Sequence, residues 1–231
     1  MAIGGPSILR ADGPPDSQVA LPARYNSFWG VLQRRVKRLM DAVAATIGLV
    51  VLAPLFVVIG GLVVMDSGWP VFFRWRVVGR CGRHFVGYKF RTMVSNAEEL
   101  QAQLADQNEM SGPVFKMRRD PRVTGIGRVL RKYSLDELPQ LWSVLKGDMS
   151  LVGPRPLRWH EYEVLTPAQR ARFAVTPGIT CLWQISGRSE IRSFDEWVRL
   201  DLEYIRTWSL WLDACILART CAAVLQSRGA Y

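Results

Sequence analysis

The sequence predicts an α+β chain, mainly helical: a monotopic membrane protein with a re-entrant, proline-broken membrane helix, a small β-hairpin and amphipathic interfacial helices. Three observations lead there: an uncharged run from Ala42 to Val64 with Pro54 at its middle, two apolar runs flanking a glycine-bounded turn, and a helical apolar stripe near the C-terminus. The 231 residues allow one ordinary domain plus an appendage. Apolar residues at 49% and charged residues at 22% match globular averages, which excludes wholesale disorder and a polytopic membrane protein. Any membrane part is therefore local.

The elements are expected in this order. Residues 1–33 read as a disordered leader, because Gly4, Gly5, Pro6, Gly13, Pro14, Pro15 and Pro22 occur there with no apolar period. Residues 34–66 form the membrane element. As a straight helix, Ala42 to Val64 would extend roughly 35 Å, enough to cross a bilayer. Pro54 argues against a simple span, since it removes a backbone donor and bends the helix at Ala53-Pro54. The flanks agree: Arg34, Arg35, Lys37 and Arg38 precede the run and Arg74, Arg76, Arg80 and Arg83 follow it, so the positive-inside bias names neither end as external. A hairpin that enters and returns keeps both clusters on the cytoplasmic face.

Residues 67–231 make up the cytoplasmic domain. Val71 to Val77 and His84 to Phe90 read as a hairpin around Gly79 to Arg83. Helical periodicity follows over Ser95 to Gln107, loop-rich sequence over Ser111 to Gly127, a helix from Leu135 onward, and one long helical region from about Phe194 to Gln226. In that last region Trp197, Leu200, Tyr204, Trp208, Trp211, Leu212 and Cys215 form a stripe that suits either a core or a membrane surface. Cys81, Cys181, Cys215 and Cys221 include no CxxC pair and only His84 and His160 are available, so a zinc site is not expected. The cysteines read as free, mostly buried thiols of a reducing cytoplasm.

The charge balance narrows the partner. Thirty Lys and Arg against twenty Asp and Glu give a formal charge of +10 and a pI near 10.0, which points to an anionic partner: nucleic acid, phospholipid or a phosphorylated substrate. Twenty-five of the thirty are Arg, the side chain that grips phosphate at two points, although a biased genome composition explains that excess equally well.

The densest chemistry lies in Gly127 to Pro156. Asp136 and Glu137 are adjacent, preceded by Ser134 and followed by Pro139, which places the acids at a helix N-terminus. There the free amides and the helix dipole favour ionised carboxylates, fit to act as a nucleophile or a metal ligand. Ser134 with Glu137 also reads, with equal weight, as a capping box that needs no catalysis. Around the acids stand Lys116, Arg118, Arg119, Arg122, Arg128, Arg131 and Lys132, with Arg155 fixed between Pro154 and Pro156. Two carboxylates in such a setting suit phosphate chemistry with Mg²⁺. Lys89 and Arg91, at the end of the second strand, are placed to reach the same phosphate.

The segments KRLMD, VFFRWRVVGRCGRHFVGYKFRTM, DPRVTGIGRVLRKYSLDELPQL, KGDMSLVGPRP, PGITCLWQISGR and the terminal GAY together closely resemble the bacterial sugar transferases, monotopic polyprenyl-phosphate glycosyl-1-phosphate transferases. The resemblance covers Arg35 to Tyr231. It implies transfer of a sugar 1-phosphate from a nucleotide diphosphate sugar, usually UDP-linked, to undecaprenyl phosphate with release of UMP, at the first membrane step of polysaccharide or glycan assembly. It further implies Asp136 as nucleophile, Glu137 assisting with Mg²⁺, phosphate contacts from Lys89, Arg131 and Arg155, and a bacterial inner-membrane location with the site facing the cytoplasm. Membrane phospholipid is then a partner, nucleic acid is not, and a homo-oligomer stays open. The chain departs from the family pattern at Ala53-Pro54, where Ser-Pro is usual, at Arg74, where many relatives have Gln, and at Cys181, where Gly is usual. Larger relatives carry an N-terminal multi-span domain, so this chain reads as either a compact form or a catalytic fragment. A membrane-anchored basic binder of nucleic acid or anionic lipid is the competing expectation, and it lacks any need for SLDELP or the Pro-Arg-Pro clamp.

Overall fold

A computed structural model describes Tyr25, residues 27–187 and residues 191–225. Most of the leader, the end of the long helical region at Gln226 and the terminal GAY lie outside the described residues. The chain runs α1 (Phe28–Val51), α2 (Ala53–Ser67), β1 (Phe72–Val78), β2 (His84–Phe90), α3 (Ala97–Gln103), α4 (Gly125–Lys132), a 3₁₀ segment (Leu135–Gln140), α5 (Leu141–Lys146), β3 (Ser150–Val152), β4 (Leu157–Arg158), α6 (Trp159–Glu163), α7 (Pro167–Arg170), β5 (Gly178–Thr180), α8 (Leu182–Ile185), α9 (Phe194–Thr207) and α10 (Leu210–Leu225). The fold is mostly helical, with two small sheets. One is antiparallel in the order β2-β1-β4, and the other pairs β3 with β5 in parallel.

Helix α1 starts six residues before the expected start of the membrane element at 34. Ser27 caps it by accepting from the Gly30 amide at 3.1 Å, and a serine at that position supplies one of the orphan amides with its acceptor. The helix ends at Leu52, where the axis turns by 61° into α2. Pro54 is the second residue of α2, a place where its missing N–H costs no helical bond. No single described helix is long and apolar enough to cross a membrane, whereas the bent pair is by length and composition. Its outer faces carry exposed Leu39, Met40, Val43, Ile47, Val50, Val57, Val58 and Met65.

Both arms of the bent pair are tied to the same folded domain. On α1, Lys37 pairs with Asp213 at 2.6 Å, Arg38 donates to the carbonyls of Val144 and Leu145 at 2.8 and 2.6 Å, and Asp41 accepts from the Leu151 amide at 3.2 Å. Lys37 and Arg38, although part of the cationic flank before the membrane run, therefore face protein. At the far end of α2, Asp66 accepts from the Ile126 amide at 3.1 Å in the first turn of α4. Ala45 of α1 packs with Leu141, Val144 and Met149, and Ile59 and Val63 of α2 pack with Phe90 and Leu130.

The hairpin lies one residue from its expected start. Trp75 stands opposite Gly87, and a Cβ at Gly87 would sit 2.4 Å from the indole nitrogen, so only glycine lets the ring cross the neighbouring strand. The long C-terminal helix is broken at Trp208 and Ser209 into α9 and α10. Its apolar stripe divides accordingly: Trp197, Leu200 and Tyr204 are buried in the core, while Trp211 is 77% exposed. Two of the four thiols, Cys81 and Cys221, are exposed, contrary to the mostly buried expectation, and only Cys181 is fully buried.

Candidate active site

Asp136 and Glu137 lie on the 3₁₀ segment between α4 and α5 and are 8% and 5% exposed. The turn is made by Ser134, which adopts φ +53° in the left-handed region, an unusual state for a residue with a Cβ. Its side chain makes no capping bond to the segment, so the capping-box reading fails in its geometry. The dipole argument is corrected as well: α5 begins only at Leu141, and the acids ride a short 3₁₀ turn in which Pro139 fits without breaking an α-helical ladder. What compensates their charge is side chains.

Two cations converge on one oxygen. The Lys89 ammonium lies 2.8 Å from Glu137 Oε1 and the Arg155 guanidinium donates from Nη1 to the same atom at 3.0 Å. Lys89 stands 4.7 Å above the Trp75 ring, the ring that Gly87 admits. Burial lowers the Lys89 pKa and Glu137 opposes that loss; for Arg155 burial also pulls down, but Glu137 wins and the net shift is upward. Arg131 comes from the last turn of α4, held by a bond from Nε to Thr92 Oγ1 at 3.0 Å, and the Asp136 carboxylate partly offsets the burial that lowers its pKa. Lys89, Arg131 and Arg155 thus surround the acid pair.

Arg155 reaches the pair because its loop is fixed from both sides. The loop leaves β3 and enters β4, joining the two sheets, and Gly153 and Gly178 meet so closely that a Cβ on Gly178 would lie 2.1 Å from the Gly153 nitrogen. The Gly178 amide donates to the Pro154 carbonyl at 2.9 Å, and the Arg155 carbonyl accepts from Arg172 Nη2 at 2.9 Å. Arg172 in turn pairs with Asp201 at 2.5 Å, both side chains essentially unexposed. Neither residue was foreseen. The available signal was a carboxylate at 201 within the apolar stripe Trp197, Leu200 and Tyr204, where a charge needs a partner.

Arg91 does not join the site. Strand β2 stops at Phe90, and the guanidinium of Arg91 turns to the carbonyls of Ser67, Gly68 and Trp69, where it closes the end of α2. Arg122 is structural too, forked on Asp120 at 2.9 and 2.7 Å. Thr92, which accepts from Arg131, and Trp75, beneath Lys89, touch the cations around the acid pair, and no local pattern marked either contact, apart from the glycine opposite the tryptophan.

Among the described residues no group of three or more His, Cys, Asp and Glu converges on a point. The donor set at the pair is two adjacent carboxylates, hard oxygen ligands. That set fits Mg²⁺, which takes one or two carboxylates and completes its shell with phosphate oxygens and water.

A family model described as bacterial sugar transferase matches residues 32–227. The chain belongs to this family. Among relatives, it is 47% identical over 194 residues to the galactosyl transferase CpsE of Streptococcus agalactiae, covering 84% of this chain and 43% of that protein. It is 42% identical over 202 residues to the undecaprenyl-phosphate galactose phosphotransferase of Salmonella typhimurium, covering 86% of this chain and 42% of the other. With the exopolysaccharide production protein ExoY of Rhizobium meliloti it shares 42% identity over 199 residues, 84% of this chain and 88% of ExoY. The chain thus spans under half the length of the first two relatives and most of the third. As a bacterial sugar transferase, it places the segment between Lys89 and Arg155 wholly inside the matched region.

Proposed function

We propose that this bacterial sugar transferase moves a sugar 1-phosphate from a UDP-linked sugar to undecaprenyl phosphate and releases UMP, the first membrane step in building a polysaccharide. The observation that carries the reading is the buried acid pair in which Glu137 is compensated by Lys89 and Arg155. The resemblance to the family gives the nucleophile's role to Asp136, and Glu137, whose Oε1 is engaged by Lys89 and Arg155, is placed to assist it. Asp136 Oδ attacks the β-phosphorus of the donor; the bond from that phosphorus to the bridging oxygen breaks, and UMP leaves with the electron pair. A phosphate oxygen of the lipid then attacks the aspartyl phosphosugar, the acyl–phosphate bond breaks, and Asp136 returns as a carboxylate. Arg131 and Arg155 are positioned to meet charge on the equatorial oxygens, and Lys89 to meet charge on the leaving phosphate. Mg²⁺, held by Asp136 and Glu137, would supply charge neutralisation for the diphosphate.

The two relatives named for galactose make UDP-galactose the first donor to assay. UMP release is expected from at least one of a panel of UDP-sugars when undecaprenyl phosphate and Mg²⁺ are present. Salt-sensitive DNA retention with no UMP from any donor would instead favour the basic binder.

The re-entrant topology belongs to the same proposal. Since α1 and α2 are both clamped to one domain, a straight crossing would tear one set of contacts away. With α2 about 22 Å long and the two axes roughly 120° apart, a symmetric insertion carries the bend on the order of 10 Å deep, within one leaflet. The domain and the N-terminal end of α1 then share the cytoplasmic side. With the four native cysteines replaced, Ser27→Cys should resist an impermeant thiol reagent in intact cells and react once the membrane is opened. Labelling in sealed cells would overturn the re-entrant arrangement.

A further inference from the structure

Behind the acid pair, the 3₁₀ segment forms one wall of a cavity of about 260 Å³. Strands β3 and β5 contribute Leu151 and Ile179, α8 contributes Ile185, and α10 contributes Leu217 and Ala223. Glu137, Ser134 and Lys132 also line it. Leu141, also on the wall, packs its Cδ1 3.0 Å from where a Cβ of Gly48 would be, so the cavity shares a wall with membrane helix α1.

The lining is mostly apolar, and two of its polar groups are already engaged within the protein. The hydroxyls of Thr180 and Thr220 hydrogen-bond to each other at 2.7 Å, and Gln184 Oε1 accepts from Cys181 Sγ at 3.1 Å. A nucleobase placed here would lose its hydrogen bonds to water with little in return, whereas an apolar chain loses nothing. A carbon group fills about the volume of a water, roughly 30 Å³, so the cavity takes on the order of two five-carbon units.

The geometry points to this cavity as the seat of the first isoprene units of the lipid acceptor, with the phosphate emerging at Glu137 toward Asp136 and the rest of the chain continuing along α1 into the bilayer. The inference rests on the proposed reaction for the identity of the lipid, while the cavity's preference for a phosphate-ended apolar chain can be measured without turnover. The donor nucleotide is thereby assigned elsewhere.

The test uses the full chain in phosphatidylcholine nanodiscs with dimethylallyl, geranyl and farnesyl phosphates as probes and inorganic phosphate as control. Affinity should rise on the order of tenfold or more from the five-carbon to the ten-carbon probe and change little beyond it, since added carbons then lie outside the cavity. Ala223→Trp fills the space; it should weaken geranyl phosphate about tenfold and raise the KM for the lipid acceptor while the KM for UDP-sugar moves less than twofold. Affinity independent of chain length overturns the assignment, as does a tryptophan effect confined to the donor. If the variant does not fold, the chain-length series on the unaltered protein decides alone. Chain-length-dependent binding without UMP release would count against the reaction and for the cavity; normal UMP release with flat chain-length dependence would do the reverse.

Discussion

Asp136→Asn is expected to reduce UMP release by on the order of 10⁴- to 10⁶-fold, the range seen when a covalent nucleophile is removed. The substitution keeps shape and volume in a site that is 8% exposed, so folding and membrane association should survive. The amide nitrogen has no lone pair to give the phosphorus, and the amide oxygen is too weak a nucleophile to replace a carboxylate. Loss of activity by itself would also follow from a lost metal ligand. The sharper measurement is the intact mass of the protein after mixing with donor and no acceptor: the native chain should gain one phosphosugar, and the variant none. Residual turnover above about a hundredth of native, or a native protein that never gains the adduct under single-turnover conditions, would leave direct attack by the lipid phosphate as the mechanism. Glu137→Gln should behave differently, because Lys89 and Arg155 lose the oxygen on which both converge, and stability should fall together with activity.

The parts of this site that were legible in the sequence are those set by local pattern. The hairpin was readable because its two runs of seven residues flank a glycine-bounded turn, and the acids because Asp136 and Glu137 adjoin a proline in a cationic setting. The backbone that holds them was not readable. Ser134, Glu137 and Pro139 match a helix start letter for letter, yet Ser134 is left-handed and its hydroxyl does not cap the segment. Parallel pairing of β3 with β5 joins Ser150 to Gly178 through strands of three residues, too short to show a period. The start of α1 had a signal in Ser27 that the cationic cluster at 34–38 obscured, because those cations looked like a membrane flank when two of them are contacts to the domain. Arg91 illustrates the same limit: two residues after Lys89 it should share a face, but the strand ends between them.

Arg172→Met should lower both stability and turnover, with a pH signature that identifies the cause. In the native chain burial lifts Asp201 to about 6 from an ordinary 3.8, and Arg172 opposes that rise. A carboxylate raised by folding contributes most to stability below its unfolded pKa, and that contribution is lost as pH rises through the folded value; in the native chain this loss lies between about 4 and 6. Without the guanidinium, desolvation is unopposed and Asp201 moves higher still, so the variant should go on losing stability above pH 6 where the native chain no longer does. The gap between them should widen by up to about 1.4 kcal/mol per pH unit from pH 6 toward 8, read by denaturant or thermal unfolding in detergent. The turnover deficit has a separate origin, the lost bond from Arg172 Nη2 to the Arg155 carbonyl, and should therefore persist at pH 5.5, where the gap in stability is smallest. A gap constant across pH 6–8 would mean that Asp201 keeps its ionised state without Arg172, and full turnover at pH 5.5 would mean that the Pro154–Pro156 loop holds Arg155 against Glu137 without help from the buried pair.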